Sequence, residues 1–316
     1  MNLLLMGNPI YSALVADVFL QENLSINYIA TSQDRKEGRG QKLIPPPLKE
    51  WGIKYDIPVF QFQSLKNKAS IDAIRDINPE LIIVAAYGKM LPKEILEIPK
   101  YGCLNIHPSL LPKYRGPSPV ISTLVDGVQE TGVSVILMNE EMDAGPILTQ
   151  KNVTILKNEN SEKLTSRLFQ KGAYELSKIL DQWVKNELIP IPQNETDATF
   201  TKLITKSDGE INWKFPAHKI SLLIRAYHPW PGTYTTWKGL NLKILDAEFI
   251  DSYEFNGTIH NNIGKVIRRT DTDSPLGVIT GEQILLPTLL QLAGKTIVNA
   301  KEFLKRNSDF IGSTLG

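Results

Sequence analysis

Apolar runs and helical periodicities alternate along the first part of the chain. Leu3-Leu4-Leu5-Met6 reads as a strand that ends at the turn Gly7-Asn8-Pro9, and an apolar periodic stretch follows from Ser12 to Leu20. Ile26 to Ala30 is the next strand candidate. Ile71 to Ile77 has helical spacing and stops before Pro79; Leu81 to Ala86 is unbroken apolar, as in a strand covered on both faces. Pro92 suits the first turn of a short helix ending before Pro99. Cys103 to His107 is a short strand entering a loop, Val133 to Leu137 another strand, and a long helix is expected from Ser161, as its cap, to Lys185. Strand and helix in alternation predict an α/β fold, a doubly wound and mostly parallel sheet.

The pattern then changes. Pro190, Pro192 and the polar run Gln193-Asn194-Glu195-Thr196-Asp197 break regularity as a linker does. Beyond one helical stretch, Ala217 to Ala226, the runs are short and of β type: Thr233–Trp237, Leu242–Ala247, Gly264–Arg268, Leu276–Thr280 and Ile284–Leu286. Short strands punctuated by Gly, Asn and Asp predict a small β-barrel. The expected organisation is a domain over 1–188, a linker over 189–205 and a second domain over 206–316. A chain of 316 residues suits two cores better than one.

Composition narrows the class. The 42% apolar and 22% charged shares are ordinary for a globular protein, and no apolar run approaches the ~20 residues that span a bilayer. One cysteine, Cys103, allows no internal disulfide and no all-cysteine zinc site. The expected setting is a reducing cytoplasm, the expected state a monomer without a membrane partner. Residues 1–199 carry 21 basic against 23 acidic side chains, and residues 200–316 carry 14 against 11. So slight an imbalance fits ordinary solvated surface as well as it fits a nucleic-acid partner.

The chemistry-bearing stretch is Tyr101 to Gly145. The first strand is followed by one glycine, not G-x-G-x-x-G, and no Walker-type lysine loop is present, so dinucleotide and nucleoside-triphosphate sites lack their phosphate cradles. Asn105 and His107, two apart on a strand, share one face at its C-terminal end, where open parallel sheets hold ligands. With Asp143 they make an amide, an imidazole and a carboxylate, a set suited to attack on a carbonyl without a metal. Alone, Asn-x-His is a weak signal that better describes a structural histidine at a strand end. The four histidines show no paired metal-ligand spacing.

The segments Ala86-Tyr87-Gly88-Lys89-Met90-Leu91-Pro92, Gly102 to Pro112, Arg115-Gly116, Thr131-Gly132-Val133 and Met142-Asp143-Ala144-Gly145 closely resemble the formyltransferase family that uses 10-formyl-tetrahydrofolate. The resemblance implies that Asn105, His107 and Asp143 are catalytic. It implies that Ser109, Leu110, Leu111 and Pro112, with Met90 and Leu91, line the folate site, and that no metal takes part.

Asp34 to Lys49 is a Gly-punctuated basic run between a strand and a helix. It is similar to the loop by which the methionyl-tRNA formyltransferases enter the acceptor end of initiator tRNA, which implies tRNA contacts by Arg39 and Lys42. Ile211-Asn212-Trp213, Ile224 to Gly232 and Leu292-Ala293-Gly294-Lys295 resemble the second domain of the same enzymes, a barrel of the oligonucleotide-binding type. The implied reaction moves a formyl group to the amine of methionyl-tRNA, with a protonated His107 and Asn105 donating to the oxyanion. Three alternatives share these motifs: a sugar-nucleotide N-formyltransferase, a hydrolase releasing formate from the same folate, and a catalytically silent RNA-binding relative. Departures from the family pattern are Asn8 in the first turn, Pro117-Ser118-Pro119-Val120 after the folate loop, and Met142 before the aspartate.

Overall fold

Strand runs with no polar interruption demand cover on both faces, and the structure, a computed structural model, supplies it. It describes residues 1–37, 40–251, 262–269 and 274–316. The elements in order are β1 Leu3–Gly7, α1 Ile10–Gln21, β2 Tyr28–Thr31, β3 Arg35–Glu37, β4 Lys42–Ile44, α2 Pro47–Lys54, β5 Val59–Gln61, α3 Lys68–Ile77, β6 Leu81–Ala85, α4 Lys93–Leu96, β7 Cys103–His107, α5 Pro119–Val125, β8 Glu130–Leu137, β9 Ile147–Thr154 and α6 Ser161–Val184. A seven-stranded sheet runs β5-β2-β1-β6-β7-β8-β9. The pairings from β5 through β7 are parallel, and β8 and β9 add an antiparallel edge. Alternate residues divide the strands between two apolar layers. Leu4, Met6, Ile82, Val84 and Cys103 enter one cluster, while Leu3, Leu5, Ile83 and Leu104, fully buried, face the other way.

Local chemistry sets the helix ends. The Asn67 side chain accepts from Ser70 N at the start of α3, and Asn78, left-handed at φ 49°, ends it just before Pro79. Pro47 opens α2 at a position where its missing N–H costs nothing. In α6, Leu164, Leu168, Phe169, Ala173, Leu176 and Leu180 form one buried stripe. Gly172 lets this helix approach closely: a Cβ there would stand 2.4 Å from Ile106 and 2.6 Å from Val133. Ser161, expected as the cap, is instead the first helical residue, and its hydroxyl donates to the His228 carbonyl.

Two compact units emerge. One comprises 1–119, 129–155 and 163–202, the other 120–128, 156–162 and 203–316. Within the second, α7 Ala217–Ala226 accompanies β10 Thr233–Trp237, β11 Leu240–Ile250, β12 Val266–Arg268, β13 Leu276–Ile279, β14 Ile284–Leu292, β15 Val298–Asn299 and α8 Ala300–Arg306. These strands form an antiparallel half-barrel ordered β10-β11-β14-β13-β12, with β15 on β14. Shifts of register between Ile244 and Ala247 irregularise β11. Trp237, Phe303 and Phe310 pack edge-on and tilted in its core, so Trp237 and Trp213 are core aromatics, whereas Trp230 is 56% exposed.

Candidate active site

The C-terminal end of β7 places Asn105 and His107 on one face, and the chain leaving β8 returns to bring Asp143 beside both. Asn105 Nδ2 lies 3.4 Å from Asp143 Oδ1, and His107 Nδ1 lies 3.5 Å from the same oxygen. The three side chains foreseen from sequence therefore meet. Asp143 holds a left-handed backbone, φ 54°.

A loop from Ser109 to Gly116 fixes the trio from the other side. Its Tyr114 carbonyl stands 3.1 Å from His107 Nε2, and its Gly116 N–H donates to Asp143 Oδ2 at 2.8 Å. A carbonyl only accepts, so Nε2 carries hydrogen and Nδ1 is the nitrogen that faces Asp143. Burial, the largest influence, depresses the His107 pKa below the usual imidazole value, although Asp143 and the Tyr114 carbonyl oppose it. Burial thus works against the imidazolium expected from sequence, while Asp143 at 3.5 Å and the Tyr114 carbonyl favour it.

With Nε2 bound to a carbonyl, Nδ1 stands 3.5 Å from a carboxylate oxygen, so the pair can hold one shared proton, while one amide hydrogen of Asn105 lies against Asp143 and the other remains for a ligand oxygen.

The residues expected around the folate divide into two groups. Ser109 is fully buried; its hydroxyl donates to the Lys113 carbonyl at 2.7 Å and its N–H to the His107 carbonyl at 2.9 Å. Leu111 and Leu91 are buried as well, whereas Leu110 and Pro112 are half-buried and Met90 is exposed. Ser134 and Gln150 brace this loop: Ser134 Oγ accepts from Leu111 N and donates to the Ser109 carbonyl, and Gln150 Nε2 donates to the Leu111 carbonyl. A separate cleft of about 500 Å³, lined by Lys93, Leu96, Tyr101, Cys103, Met138 and Trp183, opens at the opposite end of β7 and contains none of the trio.

The basic run after β2 is not a plain loop. β3 pairs antiparallel with β4, with Lys42 exposed at the start of the return strand. Arg39 lies outside the described residues. Lys49 belongs to α2, where its Nζ donates to Asp34 and Gln61 at 2.8 Å. That bond pulls the Asp34 pKa down, and it engages one cation that sequence counts with the loop.

Sequence reading missed the residues that hold the trio. Tyr114 and Gly116 act through backbone groups, which carry no side-chain motif. Arg115, Gln193 and Glu195 are joined across nearly eighty positions. Arg115 stands within one of the family-like segments, and Gln193 and Glu195 are two of five polar side chains in a supposed linker.

Comparison with known proteins agrees with this architecture. The profile described as "Formyl transferase" matches residues 1–180, and "Formyl transferase, C-terminal domain" matches 203–308. The methionyl-tRNA formyltransferase of Halalkalibacterium halodurans is 38% identical over 319 residues, covering 100% of this chain and 98% of the relative. That of Staphylococcus aureus is 35% identical, covering 96% and 95%. Among solved structures, an N-formyltransferase from Helicobacter canadensis, bound to folinic acid and dTDP-3-aminofucose, has a TM-score of 0.60 at 18% identity, covering 91% of this chain and 99% of its own. A sugar N-formyltransferase from a Shewanella species has a TM-score of 0.60 at 21% identity, covering 79% and 99%. The two structures share the fold; the curated relatives carry the closer kinship, and with two domain profiles matched in order this chain belongs to the formyl transferase family, among the methionyl-tRNA formyltransferases.

Proposed function

We propose that the chain moves a formyl group from 10-formyl-tetrahydrofolate to the α-amine of initiator methionyl-tRNA, giving N-formylmethionyl-tRNA in the cytosol. Kinship over the full length with methionyl-tRNA formyltransferases carries this reading. The convergence of an amide, an imidazole and a carboxylate supplies its chemistry.

In this mechanism the space between His107 Nδ1 and Asp143 Oδ1 receives the proton that the attacking amine releases. Asn105 donates its remaining amide hydrogen to the formyl oxygen as that oxygen becomes negative. Once protonated, Nδ1 becomes a second donor, and it returns the proton to the folate nitrogen as the bond from that nitrogen to the formyl carbon breaks. The atoms balance without a metal: one N–C bond forms, one breaks, and one proton crosses. Met90, Leu110 and Pro112 offer the apolar surface for the folate ring, and Ser109, Leu111 and Leu91 support that surface from beneath. Lys42, on β4, and Arg39 engage the RNA, by phosphate contact and stacking on an end base.

A formyl-transfer assay with labelled folate tests the reading. Charged initiator tRNA should accept the label. Transfer to an amino-sugar nucleotide alone, or release of free formate with every acceptor, would replace this proposal with one of the alternatives; binding of tRNA with no transfer would leave only a silent RNA-binding protein.

A further inference from the structure

Asp143 holds a left-handed backbone at φ 54°, and a distant side chain is hydrogen-bonded to the turn that carries it. Gln193 Nε2 donates to the Asp143 carbonyl at 2.8 Å and to the Gly145 carbonyl at 2.7 Å. Its Oε1 in turn accepts from Arg115 Nε at 3.0 Å and Nη2 at 2.8 Å. Arg115, its side chain 3% exposed, forks onto both carboxylate oxygens of Glu195 at 2.9 and 2.7 Å. The guanidinium therefore fixes which end of the Gln193 amide faces Asp143.

The clamp is also tied to the loop that holds His107. Arg115 N donates to the Thr199 carbonyl, Thr201 N donates to the Arg115 carbonyl, and Tyr114 N donates to Thr199 Oγ1, each at 2.8 Å. Gly116 N, the next residue on, donates to the Asp143 carboxylate. One segment, 193–201, thus grips both supports of the trio: the backbone of Asp143 through Gln193, and the 114–116 loop through Thr199 and Thr201.

We propose that Gln193, oriented by Arg115 and Glu195, is a positioning residue that sets the Asp143 carboxylate against His107. The proposal rests on the assignment of Asp143 to the reaction made above. None of these three side chains has to meet either substrate.

The test compares Gln193→Met, Gln193→Glu and Asp143→Asn in the full chain, measuring kcat and KM for both substrates, the pH dependence of kcat, and the Tm. Met preserves length and removes both donors. Glu keeps an acceptor for Arg115 but turns a carboxylate oxygen toward two carbonyls. Both should lower kcat about 10-fold to 100-fold, because displacement of a reacting group by about 1 Å has that effect. KM should stay within about 2-fold for each substrate, and the acid limb of the kcat profile should move, since the proton site is the pair itself. Wild-type kcat and pH profile in both Gln193 variants, beside a crippled Asp143→Asn, would overturn the positioning role and leave Asp143 in place. A loss of kcat that only follows a lower Tm, with the profile unmoved, would also overturn it. An active Asp143→Asn would remove the underlying assignment instead.

Discussion

Gly116 and Asp143 are joined by a 2.8 Å bond from a peptide N–H to a carboxylate oxygen, and the residue two before Gly116, Tyr114, holds His107 by its carbonyl. One turn of irregular chain thus determines where two side chains of the trio point. Loop backbone can do this because its N–H and C=O groups are not consumed by a helix or sheet ladder.

His107→Ala and Asp143→Asn are expected to lower kcat by about 100-fold or more, the loss typical of an oxyanion or proton-transfer group. Single-turnover rates with folate and charged tRNA both saturating measure it. A rate within a few-fold of wild type in either variant would remove that residue from the reaction.

Acid should weaken the fold through His107. Burial sets its folded pKa below the unfolded value of about 6.5, so in the window between the two the unfolded chain binds a proton that the native chain refuses. Stability is complete above that window and falls as pH drops into it. Urea unfolding at pH 5 to 8 should show a shallower acid decline for His107→Gln than for wild type. Identical slopes would mean that other groups govern the acid limb.

Gly145 has no room for a side chain, since a Cβ would lie 1.8 Å from the Leu137 carbonyl. Gly145→Ala must push the returning chain off β8 and carry the Gly145 carbonyl away from Gln193. The expected destabilisation is about 1–3 kcal/mol, the range for overpacking. Thermal unfolding decides it, and an unchanged Tm would show that the turn relaxes freely.

The basic run 34–49 should separate two kinds of cation. Arg39→Ala and Lys42→Ala are expected to weaken tRNA binding and flatten its salt dependence by roughly one unit of log–log slope each, leaving folate binding intact. Lys49→Ala should leave that slope alone, because its ammonium is engaged by Asp34 and Gln61. Titrations of tRNA at several salt concentrations distinguish them; a slope change in Lys49→Ala matching the other two would refute the division.

In the second unit, Phe310 is fully buried, 5.0 Å from the Trp237 ring and 4.9 Å from Phe303. Phe310→Ala should cost about 3–5 kcal/mol, the loss usual for a deleted core aromatic. Chemical denaturation monitored at tryptophan reports it, and a loss under 1 kcal/mol would show that the cavity collapses.

The chain's linear order already determined most of its strands and helices, and the family. Leu3–Met6, Leu81–Ala85 and Cys103–His107 are apolar runs whose length and flanking turns admit little but buried strand, and Ala217–Ala226 is helical by period. The trio was legible because Asn105 and His107 share a strand face by geometry that needs no partner. Sequence missed β3, β4, β5, β9 and β15; β3 and β4, three residues each, carry almost no apolar alternation. The polar run at 193–197 looked like spacer because it has neither period nor apolar face. Only tertiary structure brought Gln193 to the Asp143 carbonyl, fifty residues away, and withdrew His107 from water, which lowers its pKa. The reason is physical: hydrophobic period is written locally along the chain, whereas desolvation and hydrogen bonding to backbone carbonyls depend on which distant segments close over a site.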